Sequence, residues 1–150
     1  MCGILGIVAN EGSHVNQLLY DGLLVLQHRG QESAGIATAD GERLRLTRAM
    51  GQVSEAFDER FLNSMTGDVA VGHVRYSTAG DSRIVNAQPI LIDCVHGEIA
   101  LCHNGNLVNA TELRSYLVGQ GHIFQTQHRI IVILPIERRA NSPQDMLGLE

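Results

Sequence analysis

The sequence predicts an α+β domain in which antiparallel hairpins alternate with a few helices. Three observations carry this reading: short apolar or alternating runs, turn signals that fold some of them back on themselves, and longer stretches with apolar residues at helical spacing. A parallel βαβ series would place a helix between successive strands, and this order does not.

Taken in order, residues 4–9 form a short apolar run between Gly3 and Asn10-Glu11-Gly12, the pattern of a buried strand. Ser13 is placed to cap a helix carrying Val15, Leu18, Leu19, Leu23 and Leu26, with Gly30 as its terminator. Residues 34–39 read as a strand and Asp40-Gly41 as a hairpin turn. Residues 43–48, Arg-Leu-Arg-Leu-Thr-Arg, alternate as a half-buried return strand. A surface helix is expected over 53–65, with Val53, Phe57, Phe61 and Met65 on one face, then a strand over 69–74 ending at Arg75. Residues 77–88 form a polar loop closed by Pro89. A second hairpin joins 90–92 to 98–102 around His96-Gly97. Asn109 and Glu112 have capping-box spacing for a helix with Leu113 and Leu117, ending near Gly119-Gln120-Gly121. Ser142-Pro143 starts a further helix that the chain barely continues, so a C-terminally truncated domain is expected.

Composition narrows the function. The 150 residues are 44% apolar and 18% charged, a balance that supports a soluble domain with one core. A net charge of −5 and 4% aromatic content without Trp offer neither a basic surface nor stacking platforms for nucleic acid. No apolar run approaches the ~20 residues of a membrane span. Cys2, Cys94 and Cys102 form neither a disulfide framework nor a metal pattern, and a reducing cytoplasm is expected. The histidines form no close pair, and no metal site is expected.

The residues that carry chemistry begin at Met1-Cys2-Gly3. Once Met1 is removed, a thiol and a free α-amine share one residue. The amine, with a reference pKa of roughly 7.7–8.0, can act as base for that thiol. In residues 72–78 a strand delivers Arg75, whose planar fork matches a carboxylate, together with Thr78. In residues 103–106 the Asn104 side-chain amide and the Gly105 backbone N–H stand side by side, as an oxyanion hole requires. Each has a plainer alternative: a buried strand start, a surface arginine, an Asn-Gly turn. His28 reads as structural, and Cys94 and Cys102 as core residues.

The order MCGI, LQHRGQESAGI, GHVRYSTAG, NAQP and CHNGNLVNATELR closely resembles the class II glutamine amidotransferases, which are N-terminal nucleophile hydrolases. Within that class it is most similar to the amidophosphoribosyltransferase family, over residues 2 to about 126. The resemblance implies a four-layer α/β/β/α sandwich of antiparallel sheets, with residues 1–150 forming a partial glutaminase domain and the phosphoribosyltransferase domain absent. It implies Cys2 as nucleophile with its α-amine as base, and Asn104 and Gly105 as the oxyanion hole. Arg75 and Thr78 would hold the glutamine carboxylate, and Arg29 and Gly30 would shape the pocket. Glutamine is the implied substrate, and no cofactor is expected in this segment. The complete family enzyme uses magnesium with phosphoribosyl pyrophosphate, which this chain would meet only through the missing domain, and forms homo-oligomers. The alternatives are a catalytically impaired remnant, or a glucosamine-6-phosphate or asparagine synthetase relative.

The pattern breaks after Thr126. The family reads Thr-Ser-Asp-Thr-Glu, its Asp binding the glutamine α-ammonium, whereas residues 127–131 are Gln-His-Arg-Ile-Ile. Codons for Thr-Ser-Asp-Thr read one base downstream can give His-Arg-Ile, so a local reading-frame disturbance is expected. Arg129 then sets a cation where a carboxylate should meet a cation. Losing a buried charge partner costs roughly 3–5 kcal/mol. Restoring Thr-Ser-Asp-Thr-Glu at 127–131 in a protein extended to a full glutaminase domain is therefore expected to raise kcat/KM for glutamine by about a hundredfold or more. Equal kcat/KM with and without the repair would place Arg129 outside the pocket.

Overall fold

A computed structural model describes residues 1–76, 82–94, 97–105 and 107–121. Six strands and four α-helices are found among them: β1 (Gly3–Val8), α1 (Asn16–Leu26), β2 (Ser33–Ala39), β3 (Leu44–Met50), α2 (Val53–Ala56), α3 (Glu59–Ser64), β4 (Val69–Arg75), β5 (Ile90–Cys94), β6 (Gly97–Leu101) and α4 (Ala110–Gly119). All pairings among them are antiparallel. One sheet has the order β1-β4-β2-β3, and β5 and β6 form a separate hairpin. The α+β expectation therefore holds.

The alternation of side chains along a strand gives the first sheet two different faces. Ala34 and Ile36 of β2 and Ala70 and Val74 of β4 join Val15, Leu19 and Leu23 around α1 in one buried cluster. Val53, Phe57, Leu62 and Met65 close it. Each fully buried side chain of this size contributes about 1.5–3 kcal/mol. On the opposite face Arg48 donates from Nη1 to the Ala87 carbonyl at 3.1 Å, and β3 packs near β6. Among the described residues, the helices around α1 thus cover one face of the first sheet and the second hairpin lies against the other. α4 carries no buried residue, and Leu113 and Leu117 are half-buried.

Several local expectations are corrected. α1 starts at Asn16, with Val15 in the cap position and Ser13 in a preceding turn, so Ser13 is not its cap. Leu18 is exposed. The helix expected over 53–65 is two short helices. Phe57 is extended between them, and the Asp58 carboxylate caps the second by accepting from Phe61 N–H at 2.7 Å. A local cap outcompetes continuation here. The break still lets Phe57 and Phe61 stack with ring centroids 5.0 Å apart. Asn109 occupies the cap position of α4 but makes no side-chain cap bond. The capping-box contact lies instead at α2, where Glu55 Oε2 accepts from Gln52 N–H at 3.1 Å. The turn at His96, the helix start at Ser142 and residues 127–131 lie outside the described residues.

The topology decides where chemistry can occur. β4 lies between β1 and β2, so the start of β1, the end of β4 and the start of β2 meet at one end of the sheet. The register pairs Gly3 with Val74 and Ser33 with Arg75 there.

At the opposite end, Asp40 makes the β2–β3 turn. Its carboxylate accepts from Glu42 and Arg43 N–H at 3.1 and 2.9 Å and from Arg45 Nη1 at 2.7 Å. The Arg43 N–H, then the Arg45 guanidinium, hold its pKa down at about 2 from 3.8. A depressed carboxylate stabilises above its unfolded pKa and loses that contribution as pH falls through its folded pKa. Wild type is expected to lose stability relative to Asp40→Asn between about pH 4 and 2. Denaturant midpoints of both proteins across that range check it, and a constant difference would contradict it.

Candidate active site

Cys2 immediately precedes β1 and is buried. Its backbone is gripped by one side chain. Cys2 N–H donates to Asn104 Oδ1 at 3.3 Å, and Asn104 Nδ2 donates to the Cys2 carbonyl at 3.2 Å. The partners are 102 positions apart in sequence. Arg29 adds a third bond, from Nε to the Cys2 carbonyl at 3.2 Å. The Cys2 thiol lies 3.8 Å from the Tyr76 carbonyl, just past the end of β4. Asn104 and Gly105 are exposed on the loop after β6, so the buried cysteine lies against a solvent-facing loop.

Arg29 is delivered by a 3-10 turn, Gln27–Arg29, that ends α1. Gln27 locks this turn, donating from Nε2 to the Gly30 carbonyl at 2.5 Å and accepting from Val53 N–H at 2.5 Å. Gly30 then passes against the end of β4. A Cβ there would lie 2.5 Å from the Arg75 carbonyl carbon and 2.8 Å from that of Val74. Those atoms are backbone and cannot swing aside, so only glycine brings Arg29 and Arg75 to one site.

Arg75 is not a surface arginine: its side chain is 1% exposed. Its Nη1 pairs with Glu32 Oε1, and Glu32 N–H also donates to the Arg75 carbonyl at 3.1 Å. Glu32 stands inside the LQHRGQESAGI segment, where sequence spacing alone assigns its charge no partner. The signal was an acid placed three residues after Arg29, immediately before the small buried residues of β2.

The structure thus brings Cys2, Asn104, Gly105, Arg29, Gly30 and Arg75 to one end of the sheet. Thr78 lies outside the described residues, as do Arg129 and the side chain of Cys94. Cys102 stands apart from this group chemically, because burial pushes its thiol up to about 12. His28 is exposed and its Nδ1 lies 2.9 Å from the Val25 carbonyl, a local contact at the helix end. Among the described residues no helix is long and apolar enough to cross a membrane.

No protein-family profile matches the chain. Individual relatives do. An amidophosphoribosyltransferase from Synechococcus elongatus is 51% identical over 125 residues, covering 83% of this chain and 25% of the relative. One from Bacillus subtilis is 45% identical over 140 residues, 93% of this chain and 29% of the relative. Over most of its length the chain is similar to members of the amidophosphoribosyltransferase family. Solved structures agree. Glutamine phosphoribosylpyrophosphate amidotransferase from B. subtilis, complexed with ADP and GMP, superposes with a TM-score of 0.73 at 44% identity. That match covers 83% of this chain and 26% of that one. A structure of the allosteric regulatory enzyme of purine biosynthesis gives 0.75 at 46% identity, over 84% and 27%. The fold is therefore the N-terminal nucleophile hydrolase fold of this family. The chain spans about a quarter of the length of the relatives it matches.

Burial holds the Cys102 thiol up at about 12, so it stays protonated near neutral pH. Iodoacetamide near neutral pH is expected to label Cys2 ahead of Cys94 and Cys102, read by peptide mass. Prior labelling at Cys102 would remove Cys2 from its assigned place.

Proposed function

We propose that this chain is the glutaminase part of an amidophosphoribosyltransferase, hydrolysing glutamine through a thioester at Cys2. The observation that carries the proposal is the grip of Asn104 on both backbone groups of Cys2, at 3.3 and 3.2 Å. An oxyanion donor is thereby tied to the one residue that can present a thiol and an N-terminal amine together. Met1 is 73% exposed, open to removal by a peptidase. The nitrogen beside Asn104 Oδ1 then becomes the α-amine.

In this reading the amine takes the Cys2 thiol proton and the sulfur attacks the γ-carbonyl carbon of glutamine. The developing oxyanion is met by the Gly105 N–H and by Asn104 Nδ2, which carries two hydrogens and gives one to the Cys2 carbonyl. The amine returns its proton to the departing nitrogen, ammonia leaves, and water hydrolyses the γ-glutamyl thioester to glutamate. Arg75 receives the substrate carboxylate, with Thr78 as its helper. Glu32 already neutralises Arg75, so the substrate meets a paired guanidinium rather than a bare cation. Arg29 and Gly30 hold the Cys2 carbonyl and the end of β4 in place.

The ammonia acceptor, phosphoribosyl pyrophosphate with its magnesium, is assigned to the remainder of the relatives' length and not to this segment. Homo-oligomers are assigned to the full-length protein. The relatives' names favour this acceptor over a glucosamine-6-phosphate or asparagine synthetase chemistry. The free thiols suit the cytoplasm. Arg129 favours a second reading, a catalytically impaired form of the same domain.

Two measurements test the proposal. Intact mass of the purified protein is expected to show Met1 removed, and a retained Met1 would contradict the amine's role. Cys2→Ala is expected to abolish ammonia release from glutamine while leaving the thermal unfolding midpoint within a few degrees. Ammonia release at the wild-type rate by that variant would overturn the assignment.

A further inference from the structure

The geometry points to Gln88 as a positioning residue that sets the oxyanion loop against Cys2. Gln88 is 1% exposed, buried between the first sheet and the loop after β6. Its carboxamide makes a two-point bond to one residue of that loop. Gln88 Nε2 donates to the His103 carbonyl at 3.1 Å, and His103 N–H donates to Gln88 Oε1 at 2.5 Å. The pairing imitates a strand partner, satisfying both backbone groups of His103 where β6 has already ended at Leu101. The next residue is Asn104, whose side chain holds Cys2.

Gln88 is itself fixed from behind. Ala87, its neighbour, accepts the 3.1 Å bond from Arg48 on β3. The Gln88 main chain lies directly on Gly35 of β2, where a Cβ would come within 2.9 Å of the Gln88 carbonyl carbon and still closer to its oxygen. The sequence leaves that spot without a side chain. A continuous line of contacts therefore runs from the rigid centre of the sheet through Gln88 to His103, Asn104 and Cys2. A buried amide with both ends satisfied has one low-energy orientation, because turning it over opposes two donors and two acceptors. Gln88 thus transmits the position of the sheet to the loop without touching substrate.

This inference rests on the proposed glutaminase reading for its kinetic consequences. It concerns placement of the oxyanion donors and not the substrate carboxylate. Gln88→Leu, close in volume and unable to form either bond, is expected to lower kcat for glutamine roughly a hundredfold, the scale of a 1 Å misplacement. KM is expected to stay within a few-fold. Alkylation of Cys2 by iodoacetamide, a displacement that forms no tetrahedral oxyanion, is expected to slow far less than turnover. A variant that raises KM at unchanged kcat, or slows alkylation and turnover equally, would overturn the inference.

Gln88→Glu guards against a misfolded leucine variant. Its ionised carboxylate can still accept from His103 N–H but opposes the His103 carbonyl, and protonation restores a donor there. The ratio of variant to wild-type kcat is therefore expected to rise as pH falls from about 8 to 6, because burial beside a carbonyl raises a carboxyl pKa. A ratio independent of pH would overturn the inference. Hydrogen exchange at the His103 amide provides a readout that needs no activity. Exchange is expected to be faster in Gln88→Leu than in wild type, and unchanged exchange would overturn the positioning role. Wild-type protein that releases no ammonia would instead sink the glutaminase reading, while the exchange result still decides the role of Gln88.

Discussion

The site depends on one side chain, Asn104, closing on both the N–H and the C=O of Cys2. A chain start is ordinarily the least ordered part of a domain. Here β1 begins at Gly3, directly after Cys2, so the sheet fixes the residue from one side and the Asn104 amide from the other. Each bond contributes about 0.5–1.5 kcal/mol to stability, a modest sum. Its larger consequence is geometric. The amide plane of Asn104 orients the Cys2 nitrogen and leaves the side chain of Cys2 to point independently of it. Removal of Met1 changes the nitrogen from amide to amine without removing its acceptor. The same hydrogen bond is therefore available to that nitrogen with or without Met1.

Charge is handled with similar economy. Arg75 is almost wholly buried at the end of the central strand, where an unpaired guanidinium would carry a desolvation cost of several kcal/mol. Glu32 offsets that cost through its carboxylate and also joins the Arg75 carbonyl through its own N–H. Two segments thus become one unit, with Gly30 close against the backbone of β4. The pair fixes the guanidinium in one place. In the glutaminase reading, discrimination for a carboxylate then depends on guanidinium geometry more than on net charge.

The strands were legible because their signals were local. Residues 4–9, 34–39, 43–48 and 69–74 each carry a run or alternation, and each is a strand within one or two residues. The helix expected over 53–65 divides in two for a reason visible in the chain. Asp58 can cap as well as continue, and the apolar spacing of Phe57 and Phe61 survives the break that Asp58 introduces. At the site, Cys2, Asn104, Arg29 and Arg75 could be singled out because their chemistry is distinctive. Glu32 and Gln88 could not, although both lay in segments already singled out. Their significance comes from burial opposite a partner 43 or 15 residues away, and no periodicity encodes such a pairing.

These features share one physical logic. The candidate site groups stand on loops and strand ends, which polar side chains hold by bonding to backbone: Gln27 to Gly30 and Val53, Arg48 to Ala87, Gln88 to His103, Asn104 to Cys2. Backbone groups at loop positions have no ladder partners and would otherwise be buried unpaired, a cost of about 1–3 kcal/mol each. A side-chain amide meets that demand with a donor and an acceptor at once. Three of the four residues are therefore Gln or Asn rather than charged residues. A carboxylate in the same place could accept but not donate, and a lysine could donate but not accept. The residues that touch no substrate are consequently as constrained in type as those that do. The constraint arises from backbone satisfaction at a site assembled out of loops.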